Sequence, residues 1–167
     1  GKAAYFIRLG GCDVGCHWCD VKESWDPKLH PLMDATEIAE MAAKHCKTIV
    51  LTGGEPLMWN LEILTSRLKE LGCTIHIETS GAYPMSGHLD WITLSPKKTG
   101  LPLEDIYKVA SELKMIIFNN NDFNLRIHSN IVPGSCRDII SDSRLHFYTF
   151  KMNIFIVRFC RYQYSLP

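Results

Sequence analysis

The sequence has no long apolar run and no excess of charge of either sign. No window reaches the roughly 18 consecutive apolar residues of a membrane-spanning helix. The N-terminus shows no charged leader followed by an apolar run and a cleavage site. The 18 basic and 18 acidic side chains cancel, so overall charge gives no reason to expect nucleic acid or an anionic membrane as a partner. These absences favour a cytoplasmic globular protein with one sizeable core.

The cysteines are spaced in a way that argues against a secreted disulfide framework. Their number, seven, is odd, and Cys12, Cys16 and Cys19 lie too close together for such a framework. In a reducing compartment, clustered cysteines indicate metal binding or redox chemistry. The stretch "GGCDVGCHWCD" has no fourth cysteine nearby. Three thiolates therefore favour a [4Fe-4S] cluster with one iron open to an external ligand.

Zinc is the alternative, because ligand softness does not separate zinc from iron. A structural zinc site has four ligands. The fourth ligand would be His17 or one of the distant cysteines, Cys46, Cys73, Cys136 or Cys160. The other motifs are needed to choose between the two kinds of site.

Strand-like and helix-like segments alternate along most of the chain. Five apolar runs that end near glycine or proline predict strands: "AAYFIRLG", "KTIVLTGGEP", "CTIHIETSG", "WITLSP" and "SELKMIIF". Helical spacing occurs in "DATEIAEMAAKH" and "NLEILTSRLKELG", and a short helix is expected near Leu103 to Ala110. Asp34 or Thr36 is the expected N-cap of the first helix, Asn60 is that of the second, and Gly72 ends the second.

This alternation predicts an α/β fold with a parallel sheet, either open or curled into a partial (β/α) barrel. The motifs follow predicted strands, so they should meet at the carboxyl edge of the sheet, where such folds bind ligands.

The residues after Phe123 have a different composition. They contain no Ala, Glu or Trp, and they carry 6 basic and 2 acidic side chains, whereas the preceding residues carry 12 basic and 16 acidic ones. The segment 124–167 is therefore predicted as a separate, atypical basic tail. It could be an interaction tail, a source of core strands such as "NIFIVRF", or a segment of different coding origin.

Two motifs in order give the cysteine loop a more specific interpretation. "CDVGCHWC" is similar to the C-x-x-x-C-x-aromatic-C signature of the radical SAM superfamily, and "GGEP" at Gly53 to Pro56 is similar to its glycine-rich strand end. Together with "FIRLGGC", "CDVKESWD", "LTGGEPLMW", "IETSG", "LSPKK" and "ELKMIIFNNNDF", they resemble the 7-carboxy-7-deazaguanine synthases over residues 1–123. The resemblance implies a partial (β/α) barrel of the radical SAM type, here truncated at the N-terminus.

The resemblance also implies the reaction and its cofactors. These enzymes convert 6-carboxy-5,6,7,8-tetrahydropterin to 7-carboxy-7-deazaguanine, with loss of ammonia, using a [4Fe-4S] cluster and S-adenosylmethionine. A flavodoxin or a similar protein is the implied electron donor, and a homodimer is the implied assembly. The expected class is thus a carbon–nitrogen lyase of queuosine biosynthesis.

Residues of the site can be assigned only through this resemblance. The cluster ligands would be Cys12, Cys16 and Cys19. The residues that would contact S-adenosylmethionine are Trp18, Gly53, Gly54, Glu55, Thr79, Ser80, Ser95 and Lys97. The residues that would contact the pterin are Arg8, Gly11 and Asp20, with the Arg8 guanidinium matching a carboxylate bidentately.

One position departs from the family pattern. Many relatives have Thr or Ser after the aspartate of the cysteine loop, at a position linked to Mg²⁺, whereas this chain has Val21. Valine offers no oxygen to a hard cation, so Mg²⁺ dependence is in doubt.

Two other hypotheses about the function are a different radical SAM enzyme, such as a glycyl-radical activase, and a zinc-binding or inactive fragment of the family.

Overall fold

A sheet of parallel strands forms the centre of the structure. The computed structural model describes residues 2–17, 19–97 and 99–114, and the backbone of residues 156–159. The strands are β1 (Tyr5–Leu9), β2 (Leu32–Met33), β3 (Thr48–Gly53), β4 (Thr74–Thr79), β5 (Trp91–Leu94), β6 (Glu112–Leu113) and β7 (Ile156–Phe159). The helices are α1 (Ala35–His45), α2 (Glu62–Glu70) and α3 (Glu104–Val109). Short 3-10 turns occupy Lys22–Ser24, Pro27–Leu29 and Pro56–Met58.

All the strand pairs in these residues are parallel, in the order β2-β7-β1-β3-β4-β5-β6. Within the described residues the sheet has two edges, β2 and β6, so this part of the chain forms a partial barrel that is not closed. The predicted α/β class, the first four strands and all three helices are thereby confirmed. Of the fifth predicted strand, only Glu112–Leu113 is assigned as strand, and its part from Met115 onward lies outside the described residues.

Helix α1 begins where an aspartate can satisfy its free amides. Asp34 Oδ1 accepts hydrogen bonds from the backbone N–H groups of Thr36 at 2.8 Å and Glu37 at 3.2 Å. Asp34 is therefore the N-cap, and Thr36, the other candidate, lies inside the first turn.

Helix α2 starts one residue later than predicted. Leu61, whose side chain is fully buried, occupies the N-cap position. Asn60 still accepts a hydrogen bond from the Glu62 N–H at 2.9 Å, as an Asx turn. Gly72, with φ +73°, ends the helix as predicted.

Alternation along the strands separates an apolar face from a polar one. Ile7, Leu9, Ile49, Leu51, Ile75 and Ile77 are buried in one core with residues of α1 and α2, including Ile38, Leu64 and Leu68. The residues between them, such as Arg8, Thr52 and Glu78, must therefore lie on the opposite face. The core fixes the strand ends, and with them the loops that carry the motifs.

One strand comes from the atypical tail. Residues 156–159 lie between β1 and β2, with Ile156 paired to Arg8 and Arg158 paired to Leu32. This position agrees with the interpretation of "NIFIVRF" as a core strand. The proposed boundary at residue 123 and most of the tail lie outside the described residues. Among the helices that the structure describes, none is long and apolar enough to span a membrane.

Candidate functional site

The two main motifs meet at the carboxyl edge of the sheet. The cysteine loop follows β1, and the GGEP segment follows the neighbouring strand, β3. The backbone N–H of Gly54 donates to Leu9 O at 2.8 Å, and that of Glu55 donates to Gly11 O at 2.9 Å. These hydrogen bonds extend the β1–β3 pairing beyond the strands and join the two motifs.

Glycine is required where the motifs touch. A Cβ on Gly54 would lie 2.2 Å from Gly11 O and 3.0 Å from the Cβ of Cys12, closer than van der Waals contact allows. Gly53 has φ +123°, and its added Cβ would lie 2.3 Å from Leu9 N. The absence of side chains lets the GGEP backbone lie directly against the cysteine loop.

Neighbouring loops hold the start of the cysteine loop in place. The N–H of Gly11 donates to Ser24 O at 2.7 Å, and that of Cys12 donates to Trp25 O at 3.2 Å. The indole N–H of Trp59 donates to Gly10 O at 2.9 Å, and its ring lies against Gly11. Trp59 was not among the predicted site residues, because a single tryptophan after GGEP carries no signal for a contact made across the fold.

All three cysteines of the loop are unpaired and partly exposed. Burial raises the pKa of the Cys12 thiol above its ordinary 9.0, and the nearby Glu55 carboxylate raises it further. Burial also raises the pKa of Cys16, although the charge of Lys97 and a hydrogen bond with Thr99 oppose this effect. The loop thus holds three soft ligands that must lose protons before they bind a metal.

The donor set fits an iron–sulfur cluster better than a single zinc ion. Cys46 and Cys73 directly precede β3 and β4, at the edge of the sheet opposite the cysteine loop, so neither can supply a fourth zinc ligand. Within the described residues, no three His, Cys, Asp or Glu side chains converge to hold one ion. The thiolates of a [4Fe-4S] cluster bind separate irons, so their sulfurs lie farther apart than the ligands of one ion. Cys136 and Cys160 lie outside the described residues.

Glu55 is a buried acid surrounded by donors. Its exposed fraction is 2%. Oε1 accepts hydrogen bonds from Leu57 N at 3.1 Å and from the Thr79 hydroxyl at 2.6 Å. Oε2 accepts from both the N–H, at 2.7 Å, and the hydroxyl of Ser80. The structure therefore brings together three predicted cofactor residues through contacts that the sequence did not reveal.

Two further predicted cofactor residues lie after β5. Lys97 Nζ donates to Ser95 O at 2.6 Å and to the Ser95 hydroxyl at 2.5 Å. Burial lowers the pKa of Lys97, and the neighbouring Cys16 and Glu55 partly offset the effect. A partly buried ammonium group thus lies after β5, near enough to Cys16 and Glu55 to feel their charges, and it favours anionic partners.

A row of polar side chains crosses the sheet below these loops. Arg8 pairs in register with Thr52, and Glu78 pairs with Thr93. The Thr52 hydroxyl donates to Glu78 Oε2 at 3.1 Å, and Lys114 Nζ lies 3.3 Å from Glu78 Oε1. Arg8 was predicted as a substrate residue. Glu78 was not, although its alternation with Ile77 and Thr79 could have placed it on this face.

The remaining predicted residues differ in how firmly the structure holds them. Gly11 is buried, and its backbone joins three loops, whereas Asp20 is exposed at a bend. Trp18 lies outside the described residues. Asp13, inside the cysteine loop, instead accepts a hydrogen bond from Tyr83, a residue that sequence patterns did not single out.

The chain matches a family model and several known proteins. The family model described as the radical SAM superfamily matches residues 6–98, which include the cysteine loop and the GGEP segment. The chain is 61% identical over 123 residues to the 7-carboxy-7-deazaguanine synthase of Flavobacterium psychrophilum, covering 74% of this chain and 59% of the relative. It is 52% identical over 124 residues to the synthase of Synechocystis sp., covering 74% and 60%.

A solved structure has the same fold. The crystal structure of QueE from Escherichia coli superimposes with a TM-score of 0.64 at 28% identity, covering 72% of this chain and 64% of that chain. The chain spans about 60% of the length of the two relatives. Because the family model matches more than half of the residues and includes both motifs that meet at the sheet edge, this chain belongs to the radical SAM superfamily.

Proposed function

We propose that this chain acts as a 7-carboxy-7-deazaguanine synthase, which converts 6-carboxy-5,6,7,8-tetrahydropterin to 7-carboxy-7-deazaguanine with loss of ammonia. The observation that carries the proposal is the 61% identity to the Flavobacterium psychrophilum synthase over 123 residues. Those residues build a carboxyl edge at which the cysteine loop, GGEP and a polar row adjoin.

The cofactors fit the residues at this edge. Cys12, Cys16 and Cys19 would hold the [4Fe-4S] cluster, and its open iron would face the amino and carboxylate groups of S-adenosylmethionine. When bound, the cluster would supply one-electron reduction, and S-adenosylmethionine would supply hydrogen-atom abstraction. Glu55 offers a buried acceptor for the amino group, and Lys97 offers a partly buried cation for anionic groups. The Gly53-Gly54 backbone leaves room for close approach.

The other predicted cofactor residues keep the roles that the resemblance implies. Trp18 would lie near the adenine, and Ser95 would contact the polar part of the cofactor. Thr79 and Ser80 belong to the same group through their hydrogen bonds to Glu55.

The substrate would lie over the polar face of the sheet. Arg8 presents a guanidinium fork to the pterin carboxylate, and Glu78 presents an acceptor two strands away. Gly11 and Asp20, which would also contact the pterin, lie near the two ends of the cysteine loop. The half-buried position of Arg8 strengthens a charge-assisted pair, since water screens it less.

Mg²⁺ dependence is doubtful because of Val21. Val21 has no side-chain oxygen, and its carbonyl already accepts hydrogen bonds from the N–H and the hydroxyl of Ser24. Any Mg²⁺ would depend on carboxylates and substrate oxygens.

The electron donor would be a flavodoxin or a similar protein. The assembly would be a homodimer, and the location would be the cytoplasm. We propose residues 1–123 as the radical SAM core and residues 124–167 as an atypical basic tail, of which residues 156–159 join the sheet of the core.

An anaerobic assay tests the proposal. The chain, reconstituted with iron and sulfide, is incubated with S-adenosylmethionine, carboxytetrahydropterin and a strong reductant, and the products are identified by mass spectrometry. We expect both 5′-deoxyadenosine and 7-carboxy-7-deazaguanine. Cofactor cleavage without the deazapurine would refute the substrate assignment. Neither product, from protein with a full cluster, would show an inactive member of the superfamily.

A further inference from the structure

We infer that Trp59 is a positioning residue for the pterin. Its indole N–H holds the Gly10 carbonyl on the core side of the sheet edge. This bond fixes the backbone between Arg8 and Gly11, the two residues that would contact the substrate on either side of Gly10. The inference rests on the proposed function, and it gives a role to a side chain that is not among the proposed ligand contacts.

The peptide unit between Gly10 and Gly11 is held from both sides. Its carbonyl, Gly10 O, accepts a hydrogen bond from Trp59 Nε1 at 2.9 Å, and its N–H, that of Gly11, donates to Ser24 O at 2.7 Å. Both glycines are buried. Because Gly11 has φ +111°, in a region open to glycine, the chain itself offers little resistance to rotation of this peptide. Its orientation therefore depends on the two hydrogen bonds.

Trp59 is itself fixed by neighbouring segments. Its backbone N–H donates to Pro56 O at 3.2 Å, which closes the 3-10 turn after GGEP, and its carbonyl accepts from the Ser86 hydroxyl at 3.2 Å. Its ring is partly buried and packs against the apolar core. A Cβ on Gly11 would lie 3.2 Å from Cζ2 of this ring. The indole is thus a fixed donor beneath the glycine backbone, on the side away from the polar face.

The cluster ligand that follows the glycines has anchors of its own. The N–H of Cys12 donates to Trp25 O at 3.2 Å, and the carbonyl of the residue before it accepts from Glu55 N at 2.9 Å. Neither bond uses the indole of Trp59. Loss of the indole N–H should therefore free the glycine peptide without releasing Cys12, so the effect should fall on the pterin and not on the cluster.

Loss of that donor would change the backbone shape that the pterin meets. A buried carbonyl without a donor is destabilised, so the Gly10-Gly11 peptide would rotate towards water. Only the fraction of molecules that keeps the original orientation would then present Arg8 and Gly11 together, and the apparent affinity for the pterin falls in proportion to that fraction. The indole N–H thus acts on substrate binding through the backbone.

Two replacements of Trp59 remove the donor in different ways. Trp59→Phe removes the N–H and part of the ring, whereas 3-benzothienylalanine in place of Trp59 keeps the shape of the ring and loses only the N–H. In the anaerobic, cluster-reconstituted chain with S-adenosylmethionine, we expect both to weaken equilibrium binding of carboxytetrahydropterin by about tenfold, the effect of one lost hydrogen bond. Iron content and the affinity for S-adenosylmethionine should not change.

Trp91→Phe is the matched control. The Trp91 indole N–H also donates to an oxygen, Glu112 Oε2 at 3.2 Å, but Trp91 begins β5 at the opposite end of the sheet, so its loss should leave pterin binding unchanged. Wild-type pterin affinity in the benzothienylalanine variant would overturn the inference, and so would an equal loss of affinity for S-adenosylmethionine. A wild-type chain that binds S-adenosylmethionine but not the pterin would overturn the proposed function and, with it, this inference.

Discussion

The Tyr83 hydroxyl donates a hydrogen bond to the Asp13 carboxylate, which ties the loop after β4 to the cysteine loop. The contact raises the pKa of Tyr83 to about 12 from its ordinary 10.0, chiefly through this hydrogen bond. Because the folded chain binds this proton more tightly than the unfolded chain does, the contact stabilises fully below pH 10. The stabilisation is lost as the pH rises from 10 through about 12.

The Tyr83→Phe variant should remove this tie while keeping the ring. We expect iron to be released to a chelator faster than from the wild type, with a loss of no more than about 1 kcal/mol in the free energy of unfolding because the contact is exposed. In a pH titration followed by phenolate absorbance, the variant should lack the ionisation step that Tyr83 contributes near pH 12. Tyr107→Phe, on α3, is the matched control and should leave iron release unchanged. Wild-type release rates in Tyr83→Phe would show that the contact does not restrain the loop.

A methyl group at Gly54 should separate the two motifs. The added Cβ would lie 2.2 Å from the backbone oxygen of Gly11, so the cysteine loop must move. We expect Gly54→Ala to cost about 1–3 kcal/mol of stability, as overpacking does, and to prevent stable cluster assembly, followed by iron content and visible absorbance.

Gly72 provides the control for this substitution. It has φ +73°, but an added Cβ would meet no atom within 4 Å. Gly72→Ala should therefore cost about 1 kcal/mol from backbone strain alone and should leave the cluster content unchanged. A Gly54→Ala chain that retains a full cluster would contradict the close-packing argument.

Local patterns predicted the elements because their causes are local. Asp34 caps α1 through amides two and three residues away, and the apolar alternation of β1, β3 and β4 follows from one buried face. The ordered spacing of the cysteines and GGEP also predicted that both would lie at one sheet edge. These inferences needed only short-range chemistry and the rule that parallel strands share an edge.

Contacts between distant residues could not be predicted in the same way. Thr79 and Ser80 lie 24 and 25 residues from Glu55, and Trp59 lies 49 residues from Gly10. Side-chain types alone do not reveal such partners, so the hydrogen bonds of Thr79 and Ser80 to Glu55 were not predicted. The start of α2 differs from the prediction by one residue only, and Asn60 still accepts the hydrogen bond from the Glu62 N–H.

The ligand assignment predicts that cysteines at the two ends of the sheet differ in function. Cys19→Ala should abolish reductive cleavage of S-adenosylmethionine, because a cluster ligand is lost. Cys73→Ala should leave cleavage largely intact, since Cys73 is buried next to the amino end of β4. Formation of 5′-deoxyadenosine, measured by chromatography, distinguishes the two. Normal cleavage in Cys19→Ala would refute the cluster assignment.

The thiols of the cluster-free chain should react slowly near neutral pH. Burial raises the pKa of Cys12 and of Cys16 above 9.0, so both remain protonated at pH 8. Only the thiolate reacts with iodoacetamide. We expect alkylation at these two sites to accelerate only above pH 9, as measured by mass spectrometry of peptides. Half-maximal rates at or below pH 8 would contradict this expectation.

Arg8 should act on the substrate and not on the cofactor. Lysine keeps the charge but loses the planar fork, so Arg8→Lys removes one of two parallel hydrogen bonds to a carboxylate. We expect the KM for carboxytetrahydropterin to rise by about tenfold to a hundredfold, while the rate of cofactor cleavage without substrate stays the same. Arg67→Lys is the matched control, because Arg67 bridges Glu40 and Glu70 on the helical surface. If Arg8→Lys slowed cofactor cleavage without substrate and left the KM unchanged, Arg8 would belong to the cofactor site, and the carboxylate clamp would have to lie elsewhere on the polar face.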